Sequence, residues 1–391
     1  MFSFTPEEQM IIDIIDRLKQ RSGSHSPSIH SLNEQLPQLR LRIDACFLSN
    51  PYATRLFWRY FKEETIDTGK LIQWLEYYPS QGPVIAEVLA EQLRVPASHI
   101  FVGNGATEII QAVLHGFAKR RVLIIVPTFS PYYEFVSPGV EISYHHLQKN
   151  QSFLLDSEAY LADVQRYQPQ TVVLINPNNP NGGYLSLSAI TKLLDQLTQV
   201  EQVIIDESFI HFAFENDAFD YVSVIPLIER YPNIVVIKSM SKDFGVAGLR
   251  AGYAVMAPER VSQLVRHGYL WNVSGLAEYF FRLYTRYSFI SEYNDIRIRY
   301  IQETRDCFKQ LAQIPGIHVY PSMANFVLIE IKKGISAHDV FAALLVRHGI
   351  YTRLCSDKLG ISGQFLRVAS RTLAENKAIV GAFRELFEKS A

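Results

Sequence analysis

Five short, β-branched runs constrain this chain most: "VLIIV" (122–126), "TVVLI" (171–175), "QVIID" (202–206), "IVVIK" (234–238) and "GYAVM" (252–256). Most are apolar on both faces, the pattern of parallel strands covered by helices, and helix-length segments separate several of them. An open α/β sheet is the architecture that satisfies this order. With 391 residues and 48% apolar content, the chain can bury a large core and divide into more than one lobe.

The flanks differ in texture. "TPEEQMIIDIIDRLKQ" predicts a capped helix, with Thr5 as N-cap, Pro6 in the first turn and Glu8 completing a capping box. Its apolar face is interrupted by acids, unlike the unbroken run of a secretory signal. "SGSHSPSIHS" then reads as a linker. After about residue 285 a long charged helix leads to "FVLIEI", a helix near "AHDVFAALLVRHG", "FLRVAS" and a last helix. The expected division is 1–49 as an N-terminal helix and arm, 50–284 as the large domain and 285–391 as a smaller α+β domain.

Charge and cysteine usage exclude several functions. A net charge of -1 with interspersed signs argues against a nucleic-acid binder or a membrane-surface protein. No apolar run approaches the roughly 18 residues of a membrane span. Cys46, Cys307 and Cys355 are odd in number and far apart, which suits neither a disulfide framework nor a metal site. A cytoplasmic protein without metal is the expectation.

Open α/β sheets bind ligands at the carboxyl ends of their strands. "FVGNGATEII" is a glycine turn into a helix, where the free first-turn amides suit an anion; plain turn chemistry gives the same pattern. "PTFSPYY" presents Phe129 or Tyr132, either as core aromatics or as a ring stacked on a planar group. "NPNNPNGG" is a proline-stiffened turn that could aim the Asn179 amide. Asp206 ends an apolar strand, where it either caps a helix or meets a cation. "IKSMSKDFGVAGLRAGY" adds two serines, Lys242 and Arg250, although a lone strand-end lysine is usually solvated.

One ligand would explain them all. An aldehyde cofactor with a pyridine ring and a phosphate needs a lysine for the Schiff base, and a carboxylate to keep the ring nitrogen protonated. It also needs an amide for the ring hydroxyl, and an anion cup.

In that order and spacing, "NPNNPNGG", "IIDESF", "SMSK" and "GLRAGY" resemble fold-type-I pyridoxal-phosphate enzymes of the class I/II aminotransferase group. The resemblance runs from about Asn50 to the C-terminus. "GNGATEII", "DESF" and "WNVSGLAE" are similar to the histidinol-phosphate aminotransferase, threonine-phosphate decarboxylase and phosphonate-pathway transaminase branch. The resemblance implies an aspartate-aminotransferase-like fold, with a mostly parallel central sheet and a smaller α+β domain. It implies Lys242 as the Schiff-base lysine, Asp206 as partner of the pyridine nitrogen, and Asn179 as donor to the ring hydroxyl. Gly105, Ala106, Thr107, Ser239, Ser241 and Arg250 match the phosphate positions, and Phe129 the stacked ring. Tyr78 matches a tyrosine lent across a homodimer to the neighbour's phosphate. Arg367 matches the binder of the substrate carboxylate; Arg353, Asn325 and Asn50 match substrate-side positions.

Two positions depart from the pattern. Phe209, a phenylalanine as in the decarboxylase branch, stands where many aminotransferases carry a tyrosine; its loss should either raise the pKa of the lysine Schiff base or leave Asn179 as the main partner of the ring oxygen. The segment 55–80 is longer than usual, and its Trp58, Tyr60 and Trp74 serve either packing or a lid. The expected reaction is ping-pong transamination between a glutamate-like donor and a small keto acid or a phosphorylated or phosphonylated carbonyl compound, with Lys242 as the proton carrier. The alternatives are decarboxylation of the threonine-phosphate type and, from another class, a nucleotide-binding dehydrogenase built on "GNGATE", which lacks the third glycine of that fingerprint.

Overall fold

The computed structural model describes residues 3–269, 271–332 and 334–388. Its first helix, Pro6–Arg21, carries the expected capping box: the Thr5 hydroxyl accepts from the Glu8 amide while the Glu8 side chain accepts from the Thr5 amide. A helix at Ile29–Gln35 and the short strand β1 (Ile43–Asp44) follow.

The chain divides into two compact units. One comprises residues up to Leu48, Pro180–Gly182 and those from Tyr300 onward; the other comprises Ser49–Asn179 and Gly183–Arg299. The boundary at 299/300 falls inside the 26-residue helix Tyr287–Ala312.

The larger unit is organised by a seven-stranded sheet. Its strands are β2 (Ile100–Gly103), β3 (Arg121–Val126), β4 (Glu141–His146), β5 (Thr171–Ile175), β6 (Gln202–Asp206), β7 (Ile234–Ser239) and β8 (Gly252–Val255). They lie in the order β2-β8-β7-β6-β5-β3-β4. Strands β3 to β7 pair in parallel, and the interior ones are buried on both faces, as their apolar runs require. Strand β8 runs antiparallel to both neighbours. Its link from β7 holds only a short 3₁₀ turn, Ala247–Leu249, which reverses the chain instead of carrying it across the sheet. Strands β2 and β4 escape sequence reading for opposite reasons: β2 has four residues, and β4 is an edge strand that is largely polar.

The segment 55–80 forms a helix (Pro51–Phe61), a π-helical turn (Lys62–Ile66) and a second helix (Leu71–Glu76). The Tyr60 hydroxyl donates to Glu292 at 2.7 Å, and the Trp74 ring meets Tyr279 edge-on at 5.6 Å.

The smaller unit holds β9 (Ile317–Val319), β10 (Phe326–Ile331), β11 (Ile350–Tyr351), β12 (Arg353–Leu354) and β13 (Phe365–Ala369). Four of these form an antiparallel sheet in the order β12-β13-β10-β9, while β11 pairs in parallel with β1. Its core joins Ile11 and Ile15 of the first helix to Val327, Leu344 and Phe383. Among the described residues, no helix is long and apolar enough to cross a membrane.

Candidate active site

Asp206 ends β6 with only 3% of its surface exposed. A carboxylate at such a place needs donors, and Ser208 and Tyr132 supply them. The Ser208 amide donates to Oδ1 at 2.8 Å and the Tyr132 hydroxyl to Oδ2 at 2.8 Å. Burial pushes the carboxyl pKa up, and hydrogen bonds from Ser208 and Tyr132 with the Lys238 charge pull it partly back. Tyr132, read from sequence as a stacking or core ring, is thus a partner of the carboxylate. Phe129 is half-buried and packs against the apolar layer that contains Ile110, Ile124 and Val173.

The Asn-Pro turn after β5 is held by its own side chains. Asn176 both donates to the Leu185 carbonyl (2.9 Å) and accepts from the Leu185 amide (2.8 Å). Asn178 donates to the Pro127 carbonyl at 2.9 Å and accepts from the Thr128 hydroxyl at 3.0 Å, which pins the turn to the end of β3. Asn179 is buried in this frame.

The phosphate positions converge on the start of helix Ala106–Phe117. Gly105 has φ +82°, and a Cβ there would lie 2.7 Å from Nη2 of Arg250, itself in the left-handed region. Gly252 lets the two chains touch: a Cβ on it would lie 2.9 Å from the Ala106 amide nitrogen. Ser239 Oγ accepts from the Ser241 amide at 3.3 Å. The Ser241 hydroxyl is buried without a hydrogen-bond partner among the described residues. Thr107 is half-buried on the first helical turn.

Lys242 is half-buried, and its backbone is fixed from outside: the Asn50 amide donates to the Lys242 carbonyl at 2.8 Å and the Ser49 hydroxyl to the Ser241 carbonyl at 3.2 Å. Asn50 caps helix Pro51–Phe61 through Oδ1, while its Nδ2 is buried without a partner among the described residues. Sequence reading missed a charge cluster in the same stretch. Lys238, 2% exposed, pairs with buried Asp243, and His211 Nδ1 lies 3.3 Å from that carboxylate and 2.9 Å from the Tyr293 hydroxyl. Burial, with the charge of Lys238, keeps His211 neutral.

These residues fit pyridoxal phosphate. A buried carboxylate with a raised pKa favours a cationic partner such as a protonated ring nitrogen. An unpartnered hydroxyl, an arginine and an open glycine turn at a helix N-terminus make an anion cup.

The smaller unit carries Arg367, Arg353 and Asn325 of the expected substrate-side residues, whereas Asn50 belongs to the larger one. Strand register sets Arg353 directly opposite Arg367. Arg367 donates to the Cys46 carbonyl at 2.7 Å, and its guanidinium lies 5.4 Å from the Phe326 ring centre. Arg353 grips both carboxylate oxygens of Asp357 at 2.8 and 2.7 Å and donates to the Ser24 carbonyl at 2.8 Å. Asn325 donates to the Leu48 carbonyl at 2.9 Å, and its Oδ1 is buried without a partner among the described residues. Tyr78, in the larger unit, is 90% exposed with its ring 6.1 Å from that of Trp271.

Residues 61–383 match the family described as aminotransferase class I and II. The chain belongs to this family. Pyridoxal 5'-phosphate is the family's cofactor, and the fold-type-I reading stands. The chain is 49% identical to the L-serine phosphate decarboxylase of Campylobacter jejuni, over 98% of each chain. It is 46% identical to the L-serine phosphate decarboxylase of Sulfurospirillum multivorans, over 95% of each. The solved structure of a decarboxylase from Sulfurospirillum multivorans superimposes with a TM-score of 0.94, at 44% identity and covering 98% of each chain. These relatives overturn the expectation of transamination with a glutamate-like donor and a carbonyl acceptor, in favour of its decarboxylase alternative. The physical reason is that the ordered motifs match cofactor positions, and both reactions use the same cofactor. They do not report which bond at Cα breaks.

Proposed function

We propose that this chain is a pyridoxal-phosphate-dependent decarboxylase that converts O-phospho-L-serine to O-phosphoethanolamine and carbon dioxide. Identity of 49% and 46%, over nearly the whole chain, to two proteins of that activity carries the reading. Phe209, buried at the end of the Asp206 strand, supports it as the departure shared with the decarboxylase branch.

When bound, the cofactor supplies an electron sink for the pair left at Cα as the carboxylate departs. Asp206, steadied by Tyr132 and Ser208, holds a proton at the ring nitrogen. The Gly105 turn, Ser239, Ser241 and Arg250 bind the phosphate, and Asn179 donates to the ring oxygen. Carbon dioxide leaves without a proton, so Cα needs one, and Lys242 Nζ delivers it. Arg367 and Arg353 take the substrate's anionic groups. The departing carboxylate becomes neutral, so a tight arginine clamp on it would favour the ground state over the transition state. Anchoring through the phosphate avoids that cost.

The same reading makes the working protein a cytoplasmic homodimer in which Tyr78 reaches the neighbouring site. The exposure of that ring supports the dimer, and three unbridged, buried cysteines agree with a reducing compartment.

The test is product analysis of holoprotein given O-phospho-L-serine, with and without 2-oxoglutarate. Phosphoethanolamine and carbon dioxide in equal amounts, independent of the keto acid, are expected. Formation of 3-phosphohydroxypyruvate only when the keto acid is present would overturn the assignment.

A further inference from the structure

The loop between β12 and β13 holds a charged residue that no motif singles out. Lys358 is 8% exposed, and its ammonium has no hydrogen-bond or ion-pair partner among the described residues. A largely buried lysine whose ammonium meets no counter-charge is costly, and it is seldom kept without a use.

Its surroundings make that cost higher. Arg353 and Arg367 face each other directly across the β12–β13 pair, an arrangement that repels unless an anion joins it. The Cys355 amide bonds to the Phe365 carbonyl at 3.0 Å, closing the loop, and the Lys358 amide bonds to the Cys355 carbonyl at 3.1 Å. Both arginine charges reach Lys358 and, after burial itself, push its pKa down to about 8. The nearest carboxylate in sequence, Asp357, is already taken by Arg353 and by Lys19, the latter at 2.6 Å. Asp44 accepts from the Cys46 and Phe47 amides, and burial raises its pKa, which weakens it as a counter-charge. Positive charge is therefore in excess here.

We propose that Lys358 completes, with Arg353 and Arg367, a three-cation cup for the substrate's dianionic phosphate, and so decides between phosphorylated and unphosphorylated amino acids. This rests on the decarboxylase reading for the identity of the substrate, but not for the presence of the cup. A phosphomonoester carries more charge and more acceptor oxygens than a carboxylate, so it can engage three donors at once.

The test is calorimetric titration of holoprotein with O-phospho-L-serine, inorganic phosphate and L-serine, comparing the natural protein with Lys358→Met and Lys358→Arg. Loss of one charge-assisted contact should weaken both phosphate-bearing probes in Lys358→Met by about ten- to a hundredfold. L-serine binding should stay within about twofold, and Lys358→Arg should recover most of the phosphate affinity. Without ligand, Lys358→Met should melt no lower than the natural protein, because a largely buried lysine without a counter-charge has been replaced by an apolar side chain. Unchanged phosphate affinity, an equal loss for L-serine, or a marked fall in melting temperature without ligand would each overturn the proposal. Lys358-dependent phosphate binding in a protein that releases no carbon dioxide from O-phospho-L-serine would instead overturn the proposed reaction and leave the cup standing.

Discussion

The Tyr132 hydroxyl donates to Oδ2 of Asp206 across 2.8 Å, and both groups are buried. The tyrosine thus aims the carboxylate and stabilises its charge. A hydrogen bond to a charged group contributes about 1.5–3 kcal/mol. Tyr132→Phe should therefore lower decarboxylation by about ten- to a hundredfold while the fold survives. Asp206→Ala should lose at least about a thousandfold, since the ring then has no group to keep its nitrogen protonated. Turnover with O-phospho-L-serine, alongside melting curves, checks both.

Gly105 is the position where backbone and space both forbid a side chain. Its φ is +82°, and a Cβ would lie 2.7 Å from the Arg250 guanidinium. Gly105→Ala should weaken cofactor binding by at least about tenfold, through the roughly 1–3 kcal/mol of strain in a backbone region open almost only to glycine and the displaced arginine. Titration of the stripped protein with pyridoxal phosphate, followed by its absorbance, measures this.

Lys238 and Asp243 form a buried ion pair beside neutral His211. Removing one partner leaves the other charge uncompensated, a loss of about 3–5 kcal/mol. Lys238→Met should lower denaturant stability by that order. The double change Lys238→Met with Asp243→Leu should recover part of it. Equal losses in the single and double variants would contradict a charge-based account.

Glu207 gives stability a definite pH dependence. Burial raises its pKa from 4.5 to about 7, against hydrogen bonds from the Ser223 hydroxyl and the Val224 amide. The folded state therefore holds a proton that the unfolded state has released between those values. Its contribution is present below about pH 4.5 and lost as pH rises through about 7, roughly 3 kcal/mol in all. Glu207→Gln should flatten the decline in melting temperature across that window, as measured by calorimetry from pH 5 to 8.

What sequence could show here was local. Strand β6 ending in Asp206, the glycine turn at 103–106 and the order of the polar strand ends are contiguous patterns, so they read directly. The Tyr132–Asp206 bond spans 74 residues and depends on a sheet register that no short stretch contains. Lys238 looks like a solvated strand end until Asp243, five residues on, folds back onto it. Lys358 sits in the loop between β12 and β13, without periodicity, so no short pattern reports its burial. The reaction was illegible for a chemical reason: the recognised residues match positions for the cofactor, which transamination and decarboxylation share, so they do not report whether a proton or the carboxylate leaves Cα.

The most direct measurement follows the carboxyl carbon. Holoprotein is incubated in deuterium oxide with O-phospho-L-serine labelled with ¹³C at the carboxyl. The expected result is release of the whole label as ¹³CO₂, with one deuterium at the former Cα of phosphoethanolamine, both abolished in Lys242→Ala. Retention of the label in a keto acid, or turnover that survives Lys242→Ala, would contradict decarboxylation with Lys242 as the proton donor.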